Sequence, residues 1–155
     1  MNIRRFKSED AAETAALVRK TISISNINDY PKELMDELTA SFTSESVIQR
    51  SSWTHFYVAE DNGSIIGCGA IGPYWGSVTE SSLFTIFVLP EYQRRGIGRQ
   101  IIGALEADEF FLRAKRVEVP ASVTAVRFYQ KMGYTFKNGI AEPDDEHVVR
   151  MEKLR

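Results

Sequence analysis

The chain has 155 residues, of which 43% are hydrophobic and 26% are charged, as in an ordinary globular domain. A formal net charge of −2 argues against a protein that coats nucleic acid, because such proteins normally carry a basic excess. One cysteine, Cys68, excludes an internal disulfide and a cysteine metal cluster.

The first third of the chain predicts a short strand followed by three helices. Alternating residues favour the strand, and Ser8 or Asp10 is a suitable N-cap for the first helix. Pro31 disfavours helix at the residue before it, so it separates the first helix from the second. The predicted segments are a strand at 2–6 and helices at 8–22, 32–42 and 44–52.

The hydrophobic period then changes to that of strands. Asn62-Gly63 is a hairpin signal between two of them, and Pro120 is expected to end or bulge a later one. The predicted segments are strands at 55–61, 64–75, 81–90, 116–122, 134–139 and 147–154, and helices at 98–114 and 122–133. This order predicts an α/β fold, in which a mixed sheet carries helices on both faces.

Two glycines and three arginines lie where the strand at 81–90 leads into a helix. Glycine allows close approach to backbone amides, and the first N–H groups of a helix have no intrahelical partner. Gly96 and Gly98 therefore favour phosphate binding, with Arg94, Arg95 and Arg99 adding positive charge. A tight turn with solvated arginines is an equally good interpretation. The P-loop and dinucleotide-binding motifs do not fit these residues.

Gln93 to Gly98 (QRRGIG) resembles the Q/R-x-x-G-x-G/A acetyl-coenzyme A signature of the GNAT superfamily of N-acetyltransferases. Val88 and Pro90 (FVLPEY) resemble the end of that family's fourth strand, and Ala125–Tyr134 resembles its FYxKxGF segment. The resemblance covers nearly the whole chain. It implies a single-domain GNAT-like fold over residues 1–155, with a mixed, mostly antiparallel sheet of about seven strands in which strands four and five splay apart.

The resemblance also implies a coenzyme site. The amides of the arginine-glycine turn would hold the pyrophosphate, the pantetheine arm would pair with backbone at Val88, and the N–H of Ile86 would face the thioester carbonyl. Ser122 stands where family members often carry an asparagine that contacts the coenzyme. The implied coenzyme-binding residues are Val88, Gln93, Arg94, Arg95, Gly96, Ile97, Gly98, Arg99 and Ser122.

Tyr129 and Glu80 are the side chains that the resemblance makes candidates for acid and base. The phenol of Tyr129 has an ordinary pKa near 10, which suits donation to a departing thiolate; alternatively Tyr129 is a packed helix residue. Glu80 shares strand alternation with Phe84 and Ile86 unless a bulge intervenes, and it is alternatively a solvated residue at the start of a strand. Ser82 could orient a water instead.

The amine acceptor is expected where the early helices meet the fourth strand. Candidates for the walls are Tyr30, Trp53, Tyr74 and Trp75, and Glu33, Asp36 and Glu37 could attract a cation; each is otherwise core packing or a solvated face. The acidic run 142–147 is interpreted as a polar loop rather than a metal site.

The resemblance therefore predicts transfer of an acetyl group from acetyl-coenzyme A to a primary amine, by direct attack in a ternary complex and without a metal. The alternatives are a non-catalytic acyl-coenzyme A binding module and a partner-binding scaffold. No leader-like segment or run of 18 apolar residues is present, so we expect a cytoplasmic monomer or homodimer, with no nucleic-acid or membrane partner.

Overall fold

A computed structural model describes all residues from 1 to 155 and contains seven strands and six α-helices. The strands are β1 (Asn2–Arg5), β2 (His55–Asp61), β3 (Ser64–Pro73), β4 (Glu80–Val88), β5 (Arg116–Ser122), β6 (Thr135–Phe136) and β7 (Val148–Leu154). The helices are α1 (Ala11–Ser25), α2 (Lys32–Ser41), α3 (Ser44–Ser51), α4 (Ile97–Glu106), α5 (Glu109–Leu112) and α6 (Val126–Lys131). None of these helices has the length and apolarity that crossing a membrane requires.

The strands form one sheet in the order β1-β2-β3-β4-β5-β7-β6. All neighbouring strands are antiparallel except β4 and β5, which are parallel. On one face α1 buries Leu17 and Val18, and on the other α4 buries Ile101 and Leu105. The predicted α/β class, the seven-stranded mixed sheet and the helices on both faces are confirmed.

The parallel pair β4–β5 is joined over only three residues. Glu80, Ser81 and Ser82 pair with Arg116, Val117 and Glu118, and the pairing then stops. Beyond this point β4 continues to Val88 and β5 to Ser122 without a shared hydrogen bond. The predicted splay of strands four and five is therefore confirmed, and it opens the sheet next to the start of α4.

A bulge in the β3–β4 pair changes which way β4 side chains face. The register shifts between Cys68 and Ala70, and Thr85 has a left-handed φ of 54°. Phe84 therefore packs against the α1 side, whereas Ile86 packs against the α4 side. The alternation expected to bring Glu80 and Ile86 to one face does not extend past Thr85, because an extra residue inverts it.

Several expected elements differ from those observed. The strand expected at 134–139 is only β6, because a 3₁₀ turn over Lys137–Gly139 follows Phe136. The helix expected at 98–114 is two helices, since Asp108 ends the first and caps α5 by accepting from the Phe110 N–H at 2.9 Å. Of the helix expected at 122–133, only α6 is α-helical, and a 3₁₀ turn precedes it. Pro120 does not end or bulge β5; the side of β5 that faces away from β7 has no neighbour there, so no N–H donor is needed.

Candidate active site

An open cleft of about 1560 Å³ follows the divergence of β4 and β5. Its walls come from both strands, from the turn that enters α4, from α6, and from the connection between α1 and α2. The cleft therefore reaches both faces of the sheet, with α4 and α6 on one side and α1 to α3 on the other.

The turn entering α4 carries a row of unpaired backbone donors. Arg94 and Gly96 have left-handed φ values of 65° and 80°, and for Gly96 this conformation explains the glycine. The N–H groups of Arg94, Arg95 and Gly96 make no hydrogen bond within the protein. Those of the next three residues lie in the first turn of α4, where no intrahelical acceptor exists. This concavity of amides suits an anion.

The three arginines of the turn are not equivalent. Arg94 and Arg99 line the cleft with Gly96, Ile97 and Gly98, whereas Arg95 does not. The Arg95 guanidinium carbon instead lies 5.1 Å from the centre of the Tyr92 ring. Two of the three arginines can therefore add positive charge beside the amides.

Gly98 is explained by packing rather than by backbone conformation. A Cβ at this position would lie 3.2 Å from two ring carbons of Phe128 on α6. The absence of a side chain therefore lets Phe128 pack against the first turn of α4, next to Tyr129.

Gln93 fixes the turn to its surroundings. Its Nε2 donates to the Val88 carbonyl and to the Ser25 hydroxyl, each at 2.9 Å. Gln93 therefore ties the turn to the end of β4 and to α1. Val88 and Gln93 both line the cleft, but the Val88 carbonyl is already engaged.

Tyr129 and Ile86 both line the cleft. The Tyr129 ring is 5% exposed and packs edge-on against Tyr134, with ring centres 6.0 Å apart. Its hydroxyl has no hydrogen-bond partner in the protein and is not sealed from solvent. Burial raises the pKa of this phenol well above its ordinary value, so Tyr129 keeps its proton. The arrangement can present a neutral O–H donor to a group in the cleft.

Glu80 lies outside the cleft, at the paired end of β4. Its carboxylate is 3.4 Å from the Arg116 guanidinium, which also contacts the buried Glu118 at 2.9 Å. Ser82 donates to the Glu118 carbonyl at 3.1 Å. The positions of Glu80 and Ser82 therefore give no support to the roles predicted for them. Ser122 does line the cleft, without a capping hydrogen bond to the turn that follows it.

Only some of the expected acceptor residues reach the cleft. Tyr30, Glu33 and Glu37 line it, while Asp36, Trp53, Tyr74 and Trp75 do not. Trp53 packs edge-on against Phe84 with ring centres 5.1 Å apart, and Trp75 is 90% exposed.

Sequence reasoning missed the contacts that bring the α1–α2 connection to the opposite wall. Asp29 accepts from Asn26 at 2.7 Å and from Thr124 at 2.6 Å, and Tyr30 lies edge-on to His147 at 6.5 Å. Thr124 and His147 are more than 90 residues away along the chain, so no local pattern indicates these pairs. We call residues 26–31 the strap, because they join the two walls of the cleft.

Arg50 on α3 was also missed. It lines the cleft, and its guanidinium carbon lies 4.5 Å from the centre of the Phe42 ring. In the sequence it is one charged residue among the polar positions of a short helix, which gives no signal of a site.

Residues 52–136, more than half of the chain, match the family model described as an acetyltransferase (GNAT) domain. The chain therefore belongs to the GNAT acetyltransferases, and the resemblance noted in its sequence is confirmed. This membership indicates an acyltransferase. No curated protein matches the chain at a significant level.

Solved structures of similar fold include N-acetyltransferases. The PaiA N-acetyltransferase of Thermoplasma acidophilum, in complex with coenzyme A, is 18% identical with a TM-score of 0.81 over 99% of this chain and 98% of that one. A GCN5-related N-acetyltransferase of Rhodopseudomonas palustris is 25% identical, with a TM-score of 0.80 over 99% and 95%. The aminoglycoside 6′-N-acetyltransferase of Enterococcus faecium is 16% identical, with a TM-score of 0.72 over 99% and 97%.

Proposed function

We propose that this protein transfers an acetyl group from acetyl-coenzyme A to a primary amine, by direct attack of the amine on the thioester in a ternary complex. The observation that carries the proposal is that the gap between two strands is continuous with a row of unpaired backbone amides. The gap between β4 and β5 leads directly to the unpaired amides from Arg94 to Gly96. A long ligand with an anionic end fits both at once.

In this proposal the turn entering α4 binds the pyrophosphate. The amides of the turn supply hydrogen bonds, the start of α4 contributes the positive end of its dipole, and Arg94 and Arg99 add charge. The pantetheine arm follows β4 past Val88 towards Ile86. Ser122 faces the same cleft from β5 and can donate to the arm.

The backbone N–H of Ile86 is the proposed donor to the thioester oxygen. As the amine attacks, negative charge develops on that oxygen, and a fixed donor stabilises it more than it stabilises the substrate. Removing one such donor typically costs about 3–4 kcal/mol of transition-state stabilisation. Because the donor belongs to the backbone, a side-chain change at Ile86 leaves it in place.

Tyr129 is the proposed acid. Collapse of the tetrahedral species breaks the carbon–sulfur bond and leaves the electron pair on sulfur. The phenol keeps its proton and donates a hydrogen bond to that thiolate; because burial raises the pKa of the phenol, this hydrogen bond rather than ionisation of Tyr129 is what stabilises the departing sulfur. The open cleft lets water supply the proton that the departing sulfur takes up.

The amine must lose a proton before it attacks. The buried carboxylate of Glu118 is unsuited to this step, because Arg116 and Lys137 hold it at 2.9 and 2.8 Å. Glu33 and Glu37 lie at the cleft rim without an ion-pair partner. We propose that they attract the ammonium form and that its proton leaves through water in the cleft.

The first test is thermal unfolding with and without acetyl-coenzyme A, with adenosine as the control. Ligand at about 100 times its dissociation constant adds about 2.7 kcal/mol, which shifts the midpoint by roughly 5–10 °C for a domain of this size. Thiol release is then followed across a panel of amines. A shift with no release on any amine would favour the non-catalytic binding module, and no shift at millimolar concentration would refute the proposal.

A further inference from the structure

We propose that the acceptor amine also carries an oxyanion, a carboxylate or a phosphate, and that Arg50 binds it and so determines acceptor specificity. This inference rests on the proposed acetyl transfer and adds the chemical class of the acceptor. It starts from one observation: Arg50 is a half-buried cation in the cleft without a counter-charge.

Arg50 has no anionic partner within the protein. No carboxylate lies within 4.0 Å of its guanidinium, and its nitrogens donate no hydrogen bond. Arg19, also partly buried, donates to the Phe42 carbonyl, whereas Arg50 has no hydrogen-bond acceptor at all. The remaining partly buried arginines are paired with carboxylates: Arg4 lies 2.8 Å from Asp10, Arg116 lies 2.9 Å from Glu118, and Arg150 lies 2.7 Å from Asp144. A partly desolvated cation without such a pair costs free energy, and a ligand oxyanion would recover it.

Burial is the only cause acting on the pKa of Arg50, and it lowers that pKa. Burial also lowers the pKa of Arg116 and Arg150, but neighbouring carboxylates outweigh it, and the hydrogen bond to Asp10 raises the pKa of Arg4. The guanidinium nitrogens of Arg50 are nevertheless not sealed, because the only fully buried polar atom without a partner is Thr14 Oγ1. Arg50 is therefore both unpaired and reachable from the cleft.

The position of Arg50 assigns it to the acceptor rather than to the coenzyme. It extends from α3, on the sheet face covered by α1 to α3, where Phe42 and Phe84 line the same part of the cleft. The turn proposed for the pyrophosphate and the Tyr129 helix lie on the other face. The coenzyme phosphates already have the amides of that turn with Arg94 and Arg99.

The chemistry of guanidinium favours an oxyanion. Its planar N–H groups form two parallel hydrogen bonds with a carboxylate or a phosphate, which a neutral amide cannot match. Glu33 and Glu37 at the rim complement the ammonium group of the same molecule. A polycation, by contrast, would bring positive charge towards Arg50. An amino-acid-like acceptor therefore fits better than a polyamine or an aminoglycoside.

The test compares matched acceptors in the presence of acetyl-coenzyme A. The pairs are amino acids against their amides, and phosphoethanolamine against ethanolamine, with spermidine and an aminoglycoside included. We expect kcat/KM for one anionic class to exceed that for its neutral partner at least tenfold, and the two pairs distinguish carboxylate from phosphate. Equal rates within both pairs, or the highest rate with spermidine, would overturn the inference but leave acetyl transfer intact.

Variants at Arg50 assign the preference to this side chain. Arg50→Gln should remove at least 90% of the kcat/KM preference for the anionic acceptor. The kcat/KM for the neutral acceptor of the same pair should change no more than about twofold, and the KM for acetyl-coenzyme A should stay unchanged. Arg50→Lys should restore part of the preference, since the charge returns without the planar fork. Arg19→Gln is the control, because Arg19 donates to the Phe42 carbonyl but does not line the cleft. If Arg50→Gln lowers kcat/KM equally for both acceptors of a pair, Arg50 does not determine the preference.

A binding measurement keeps the inference testable without turnover. In the presence of coenzyme A, N-acetyl amino acids and O-phospho-N-acetylethanolamine should raise the unfolding midpoint more than N-acetyl amino amides do. Arg50→Gln should abolish that difference. If no anionic probe stabilises the wild-type protein more than its neutral partner, and no anionic acceptor is preferred, the inference is wrong. Failure of acetyl-coenzyme A itself to stabilise the protein is the separate result that refutes the proposed function.

Discussion

Gly98 and Phe128 lie against each other on one side of the cleft: a Cβ at position 98 would lie 3.2 Å from two carbons of the Phe128 ring. The contact links the turn that enters α4 to the helix that carries Tyr129. The glycine at this position of the acetyl-coenzyme A signature thus has a packing explanation in this chain, whether or not it also allows close approach of a phosphate.

Gly98→Ala should therefore displace Phe128 and lower the unfolding free energy by about 1 kcal/mol, because overpacking outweighs the gain in helix propensity. Gly103→Ala is the matched control in the same helix, since a Cβ there meets nothing within 4 Å. That control should gain about 0.5–1 kcal/mol. Thermal and denaturant unfolding of both variants measures the difference. A Gly98→Ala protein as stable as the Gly103→Ala protein would contradict the packing explanation.

Arg99 and Arg95 offer a paired test of the proposed coenzyme site. Arg99 lines the cleft, whereas Arg95 lies over Tyr92 outside it. Arg99→Ala should weaken binding of acetyl-coenzyme A about tenfold, or ~1.4 kcal/mol, through loss of a charge-assisted hydrogen bond. Arg95→Ala should change binding less than twofold. Calorimetric titration with acetyl-coenzyme A measures the affinity of both variants. An equal loss of affinity in the two would show that the positions of these side chains do not govern coenzyme binding.

The strap should be coupled to the opposite wall through Asp29 and Thr124, whose side chains meet at 2.6 Å. Asp29→Ala and Thr124→Val should each destabilise the protein by about 0.5–1.5 kcal/mol, and the double variant should lose less than their sum. Hydrogen exchange at residues 26–31 should rise in each single variant. Additive effects in this double-mutant cycle would mean that the hydrogen bond does not join the walls in solution.

The sequence predicted the parts of the site that depend on local pattern. The arginine-glycine turn and Tyr129 belong to short segments with fixed spacing, and the structure brings both to one cleft. The bulge at Thr85 was beyond sequence reasoning, because it depends on the pairing of β4 with β3. That bulge is why strand alternation failed to relate Glu80 to Ile86. Arg50 was missed for a different reason. The sequence shows only a cation on a short helix, and only the folded structure shows that this cation lines the cleft without a carboxylate partner.

The pH dependence of stability provides a test of the Tyr129 environment. Because burial raises the pKa of this phenol in the folded protein, the folded state holds its proton more tightly than the unfolded state does. The stability that this proton contributes is fully present below about pH 10, near the pKa of the phenol in the unfolded chain. It is lost progressively as the pH rises above that pKa towards the raised pKa of the folded protein. Tyr129→Phe should therefore lose less stability than the wild type between about pH 10 and 11 in denaturant titrations. If the unfolding free energies of the two proteins change in parallel between these pH values, the pKa of the Tyr129 hydroxyl is not raised by folding.

Tyr129→Phe is also the sharpest test of the proposed acid. Since the hydroxyl has no partner in the protein and faces the cleft, its removal should leave packing and coenzyme affinity unchanged. The value of kcat should fall about 10²–10⁴-fold where chemistry limits turnover, as expected for loss of a general acid. Tyr134→Phe serves as the control, because that hydroxyl donates to Glu106 at 3.0 Å and lies outside the cleft. Acetyl donors with better leaving groups should recover much of the rate in the Tyr129 variant, since a weakly basic thiolate needs less help from an acid. Unchanged kcat with acetyl-coenzyme A, or an equal loss in both variants, would remove Tyr129 from the mechanism.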